Sequence, residues 1–389
     1  MKRFSLTSMI AFFLLLLNVT EIMAQKDKQA EKLNKALKAI NCAKANDLVQ
    51  TVKSVDYTDE DGNTLLTLSS NIGCIDVIKT LIDYGAKIDL QRYDGTNALM
   101  IASGSGYFEV VKLLLDKGAQ VDLQTTDHNS TALIMASING HTEVVNLLLD
   151  KGAKVDFASS IGATALIMAS VKGHIEVVKL LLDKGAKLDF QAIDGSSALS
   201  TSSKYGNTSV VKLLLDNGAM VDLQDKTGKS ALMNASERGN IEVVKLLLDK
   251  GANVDIQTTK RITALSLACA YGHFEVVKLL LDKGTNFKIP ETDDFTELMV
   301  AGMKGYSEIV KILIEKGANI DYQIKSGDMA GATALLLSSA MGKTEVVKIL
   351  LDNGANIDLR SSDGNTALTV AQQNNSAEVV KLLQAKSAK

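Results

Sequence analysis

The chain has 389 residues, is 46% hydrophobic, and carries 42 basic and 45 acidic residues for a formal net charge of −3. That balance argues against a general binder of nucleic acid or of anionic membranes, which needs a basic excess on some face. Three cysteines, an odd number, argue against a disulfide framework.

Residues 1–24 read as a signal peptide. Lys2 and Arg3 form a charged start, Met9–Val19 a short apolar run, and Ile22-Met23-Ala24 a cleavage point, so Gln25 is expected to open the mature chain. The run falls short of the roughly 20 residues of a membrane span, and no Cys follows it to carry a lipid. The expectation is a bacterial protein that is exported, periplasmic or secreted, with an uncleaved anchor as the alternative. Residues 25–60 read as a short linker and a degenerate N-terminal capping repeat. There Leu33, Leu37 and Ile40, then Leu48, Val49 and Val52, mark two short helices without a closing Gly-Ala turn.

From 61 to 389 a phrase of about thirty-three residues recurs ten times. The copies open near Asp61, Asp94, Asn129, Ser160, Asp194, Thr227, Lys260, Asp293, Gly331 and Asp363. Its Leu-Asp-x-Gly-Ala core stands at Leu115–Ala119, Leu149–Ala153, Leu182–Ala186, Leu215–Ala219, Leu248–Ala252 and Leu351–Ala355. A period of this length predicts stacked supersecondary units, none able to bury its apolar face alone. Thr64, Thr131, Thr164, Thr263, Thr333 and Thr366 are placed to cap a first helix. Gly140, Gly173 and Gly272 end that helix. A second helix, Val-Val-x-Leu-Leu-Leu, is apolar nearly all round and must sit between neighbours. Gly118, Gly152, Gly185, Gly218 and Gly251 then supply a left-handed C-terminal position. The last copy lacks an outgoing turn and places Gln372 and Gln373 in its first helix, as a terminal cap requires.

These landmarks resemble the ankyrin-repeat family across roughly residues 29–389. Asp363-Gly364-Asn365-Thr366-Ala367-Leu368 and Gly140-His141 match its phrase. The resemblance implies an all-α solenoid of helix–turn–helix units with β-hairpin fingers, stacked into a curved, elongated array. Ala98, Ala132 and Ala165 replace the family's Pro, and Met100, Ile134 and Ile167 its His, which implies weaker turns on an unchanged fold.

No feature separate from the repeat looks catalytic. There is no nucleophile elbow, no carboxylate pair in distinct environments and no phosphate-cradling glycine loop. No enzyme, cofactor, metal or catalytic residue is expected. His141, His174 and His273 share one repeat position, yet helices stacked about 8–10 Å apart do not converge on zinc at about 2.0 Å, so structural turn histidines are expected. Asp89, Asp122, Asp156, Asp189, Asp222, Asp255, Asp321 and Asp358 also recur. One carboxylate per layer cannot supply the 6–8 oxygens of calcium, so they read as turn-stabilising. Cys269 stands where an Ala is common and reads as a small buried hydrophobe. The spacing of Cys42 and Cys74 leaves their pairing open.

Departures from the phrase carry what functional information there is. The residue before the inter-helix Gly reads Lys172, Tyr205, Arg238, Tyr271 and Lys304 over five successive copies. In related arrays this position, with the fingertips, lines the concave face, and Tyr and Arg dominate binding hot spots. Alternating aromatic and basic side chains suit an acidic or extended protein segment, with Arg238 flanked by rings. A second departure is a finger broken by Pro290, with Glu291, Asp293, Asp294 and Glu297 acidic and Lys288 in place of the usual Asp. The next finger, Ile324 to Ala332, is four residues longer. The expected function is non-catalytic recognition of a protein partner by a monomer. The rivals are an inhibitor or immunity-type regulator of one exported enzyme or toxin, and an envelope spacer without a single partner.

Overall fold

The structure, a computed structural model, describes residues 28–287 and 295–387. The expected signal peptide at 1–24, Gln25, Lys288, Pro290, Glu291, Asp293 and Asp294 lie outside the described residues. The chain divides into two compact units, one ending at Asp194 and the other beginning at Gly195. Among the described residues the regular elements are helices, with one isolated antiparallel bridge between Thr58 and Thr64.

Each repeat becomes a pair of short antiparallel helices. In the first unit the pairs are Leu65–Ile72 with Ile75–Asp83, Ala98–Ser105 with Phe108–Asp116, Ala132–Ile138 with Thr142–Asp150, and Ala165–Lys172 with Ile175–Asp183. The second unit holds six more pairs, from Ala198–Tyr205 with Thr208–Asp216 to Ala367–Gln373 with Ala377–Ser387. Helices of seven to nine residues are marginal alone, so caps and stacking sustain them. Thr64, Thr131, Thr164, Thr263, Thr333 and Thr366 each accept from an N–H in the first turn, as the sequence predicts. Within each pair the Val-Val and Leu positions of the second helix are buried, for example Val243, Val244, Leu247 and Leu248.

The connecting fingers are turns, with fewer paired backbone bonds than a hairpin of regular strands would have. Arg92 N–H donates to Thr96 O at 2.8 Å and closes one finger. The tips are linked by a backbone bond spanning one repeat: Thr126 N–H to Asp94 O at 2.9 Å, Ser160 to His128 at 2.8 Å, and Thr259 to Thr227 at 3.1 Å. The long finger obeys the same rule. Ile324 N–H bonds Ala332 O at 3.1 Å, and Ser362 N–H reaches Ala330 O at 2.8 Å, so four extra residues leave the register intact.

The recurring aspartates differ from expectation. Asp89 accepts from Gln120 N–H at 3.0 Å, Asp156 from Lys187 at 2.9 Å, Asp222 from Asn253 at 3.0 Å, and Asp321 from Asn356 at 2.9 Å. Each carboxylate therefore ties its repeat to the backbone of the following one and does not hold its own turn. A second ladder runs along the helix ends, where Lys117, Lys151 and Lys184 meet Asp83, Asp116 and Asp150 at 3.2, 2.7 and 2.6 Å. In the second unit Lys250–Asp216 and Lys316–Asp282 repeat the contact.

The N-terminal pair consists of helical residues 28–38 and helix Cys42–Val49. Leu33, Leu37, Leu48 and Val49 fall in these helices and Val52 just after the second; Leu33, Leu37, Val49 and Val52 are buried and Leu48 half-buried, but Ile40 is 73% exposed. It ends the first helix: its N–H bonds Leu37 O while Asn41 N–H bonds Ala36 O, a closure that demands a left-handed residue, and Ile40 has φ +55°. Two ties fasten this pair to the first repeat. Cys42 and Cys74 form a disulfide with Cα atoms 5.6 Å apart, which answers the pairing that their spacing left open. Asp59 is buried, which would raise its pKa, but Lys38 at 2.9 Å and two N–H groups of Asn63 overcome this and hold it at about 2.

Candidate functional site

The five residues of the predicted stripe sit at or beside the C-terminal end of first helices, where a Gly at positive φ turns the chain into the second helix. In each case the side chain leaves the helix end away from the buried Ala and Leu of the same helix, so all five are exposed. Lys172 belongs to the first unit. Tyr205, Arg238, Tyr271 and Lys304 belong to the second, where Tyr205 is 59% and Tyr271 is 54% exposed.

Within the second unit the structure gathers Arg238 and Tyr271 around Glu237. Burial would raise the Glu237 pKa, but Lys229 at 2.6 Å, the nearby Arg238 charge and the Tyr271 hydroxyl together lower it. The Tyr271 ring lies nearly parallel to that of His273, with centroids 6.5 Å apart and an interplanar angle of 11°. Arg238 and Tyr271 thus share one carboxylate, Glu237, between them. Glu237 and Lys229 are the members of this cluster that the sequence reading missed. Glu237 sits next to a stripe residue, and Lys229 reaches it from the preceding finger, a contact that only the folded repeat defines.

The histidines are structural, as expected. His141, His174 and His273 bond Gly104 O, Ile138 O and Glu237 O at 3.0 Å. A carbonyl only accepts, so each Nε2 carries the hydrogen. Each ring also covers the glycine of the preceding repeat. At Gly106, with φ +77°, a Cβ would lie 2.5 Å from His141 Nδ1. Asn240 substitutes in the second unit, donating to Ser203 O at 2.8 Å. Among the described residues no cluster of His, Cys, Asp or Glu could hold a metal ion. Cys269 is fully buried, and burial first, then Glu297, pushes its thiol well above the usual range.

A further surface lies in the first unit, on the outward side of the first helices. Leu68, Ile101, Met135 and Met168 occupy one repeat position and are half-buried, and the fingertips Tyr93, Ile161 and Ile193 are 74%, 62% and 59% exposed. In the second unit the corresponding helix position holds Thr201 and Asn234, then Leu267, Val300, Leu337 and Val370. The row recurs at a spacing of 33 or 34 residues and is legible in the sequence.

No curated protein matches the chain. A family model described as ankyrin repeats, three copies, matches residues 33–125, 121–192, 185–258, 251–324 and 321–389. Among the described residues no helix is long and apolar enough to cross a membrane. The matches run end to end over the helix pairs, the left-handed glycines and the linked fingers, and the chain belongs to the ankyrin-repeat family.

Proposed function

We propose that this protein is a non-catalytic scaffold that binds a partner protein outside the cytoplasm. Ankyrin repeats generally mediate protein–protein interaction and are typically non-catalytic. The face assigned to the partner is the one bearing the first-helix ends and fingers, expected to be concave. The observation that carries the reading is the exposed set Tyr205, Arg238, Tyr271 and Lys304 on consecutive repeats of one unit. Large aromatic and Arg side chains left in solvent on a rigid support are the usual anchors of binding. Lys172 extends the same repeat position in the first unit. The charge of Arg238 and Lys304 favours an acidic segment in the partner, although Glu237 offsets part of it. Export is supported by the pattern of residues 1–24 and by the Cys42–Cys74 disulfide, a bond that persists in oxidising compartments.

The test begins with recovery of one stoichiometric partner from native extract and measurement of its affinity. Replacing Tyr205, Arg238 and Tyr271 together with Ala is expected to weaken binding by at least about 30-fold, one strong hot spot's worth, while circular dichroism and melting stay nearly unchanged. Equal affinity for the substituted protein removes the stripe as the binding surface. Recovery of no single partner favours a spacer.

A further inference from the structure

A terminal repeat has one face with no neighbour, and such faces are ordinarily polar. The C-terminal pair follows this rule: Gln372, Gln373, Asn374 and Asn375 are exposed. The N-terminal pair departs from it. Between its two helices lies an open groove of about 350 Å³, lined by Ala36, Ala39 and Leu48 with Asn41, and rimmed by Lys32, Lys35 and Lys44. No acidic residue lines it.

The local charge is equally unbalanced. The pair, residues 28–49, contains Lys28, Lys32, Lys35, Lys38 and Lys44 against Glu31 and Asp47. Lys35 pairs with Glu31 at 2.8 Å, and Lys38 with Asp59 and Asp61. Lys32 and Lys44 make no ion pair among the described residues, and Lys28, one turn before Lys32 on the helix, is exposed. Near-neutrality of the whole chain concealed this excess.

Ile40, beside the groove, supplies an independent observation. A β-branched residue at positive φ is a genuine outlier, and strain of this kind is kept where function needs the side chain. Elsewhere the left-handed positions are filled by Gly, by Asn129 and Asn375, or by Arg261. Here folding alone favours Gly or Asn, yet the chain exposes 73% of an isoleucine between Ala39 and Asn41 of the groove lining.

We propose that this end face docks on an anionic phospholipid surface, with Lys28, Lys32 and Lys44 at the headgroups and Ile40 entering the apolar boundary. Basic side chains around an apolar tip match the charge and polarity gradient of such an interface.

The experiment uses the full chain and phosphatidylcholine vesicles, with and without phosphatidylglycerol, in a co-sedimentation assay. Binding is expected to require phosphatidylglycerol and to fall with salt. Lys28→Gln, Lys32→Gln and Lys44→Gln are each expected to weaken it about fivefold. Ile40→Asn is expected to raise the melting temperature, because Asn accepts the left-handed backbone, while weakening binding; a purely structural Ile40 would leave binding unchanged. Binding indifferent to phosphatidylglycerol, or to the lysine substitutions, overturns the proposal. The first result would point to Met9–Val19 as the binding element, and absence of all vesicle binding would leave the face to an acidic protein segment.

Discussion

Glu297 shows how one residue can break the phrase at a cost. It opens a first helix where eight other repeats place Ala, and burial pushes its carboxyl above the ordinary range against its own N–H and the Ser266 hydroxyl at 2.8 Å. A carboxyl with a raised folded pKa binds its proton more tightly in the native state. Its destabilising effect is therefore absent below the unfolded value of 4.5 and complete once pH exceeds the folded value. Glu297→Ala is expected to raise the melting temperature at pH 7, by about 2–4 °C per kcal/mol recovered, and to lose that advantage near pH 4. Thermal scans at both pH values check it, and an equal gain at each would assign the effect to packing instead of charge. The sequence marked Glu297 as irregular but placed it in an acidic finger, because burial depends on the neighbouring helix Ala264–Tyr271. The aspartates were misread for the same reason: their donors lie one repeat away, at a distance set by stacking.

At the scale of the helix, caps and glycine turns were legible because both partners of each bond lie within five residues. What lies between helices was not. A row of serines, among them Ser103, Ser137, Ser203 and Ser236, is completely buried with hydroxyls that have no partner. The preceding residue behaves differently where it is Ser: Ser202 and Ser338 donate back to Ala198 O and Ala334 O at 2.7 Å. The unpartnered row marks where first helices approach closely enough that only a small side chain fits. At the same position Gly302 leaves so little room that a Cβ would meet Ser338 Oγ at 2.6 Å. Ser236→Ala keeps the size and removes an unmet polar group, so its denaturation midpoint is expected to hold or rise by up to about 1 kcal/mol. Ser236→Val adds volume and is expected to lose about 1–3 kcal/mol. The reverse order in urea unfolding would show that the hydroxyl, and not the space, matters.

For the whole molecule, the period made the repeat class legible, whereas the disulfide was hidden by an odd cysteine count that the buried Cys269 explains. The Cys42–Cys74 bond closes a sequence separation of 32 residues, worth on the order of 3–4 kcal/mol in the chain-entropy account. It lies wholly in the first unit. Reduction is expected to lower hydrogen-exchange protection in residues 28–52 and to leave the second unit unaffected. Thiol titration gives a second readout: none in the native protein, one on unfolding, and all three after reduction. Unchanged protection of the N-terminal pair would mean that Asp59 and the buried leucines hold it without the staple.

The carboxylate that each repeat extends to the backbone of the next has a consequence for how such a chain grows. Donor and acceptor are offset by 31 residues at Asp89–Gln120 and again at Asp222–Asn253, so a copy that keeps the Asp presents the same acceptor forward and the same N–H behind; the copy with Lys288 at this position lacks the acceptor. A duplicated or lost copy then re-forms all of these bonds, provided the change is a whole period, while a partial one strands a buried edge. The Asp321–Asn356 pair spans 35 residues and still closes, because its four extra residues loop out at the fingertip. Length can thus be inherited in whole-repeat steps, and novelty is admitted only where the joint does not notice it.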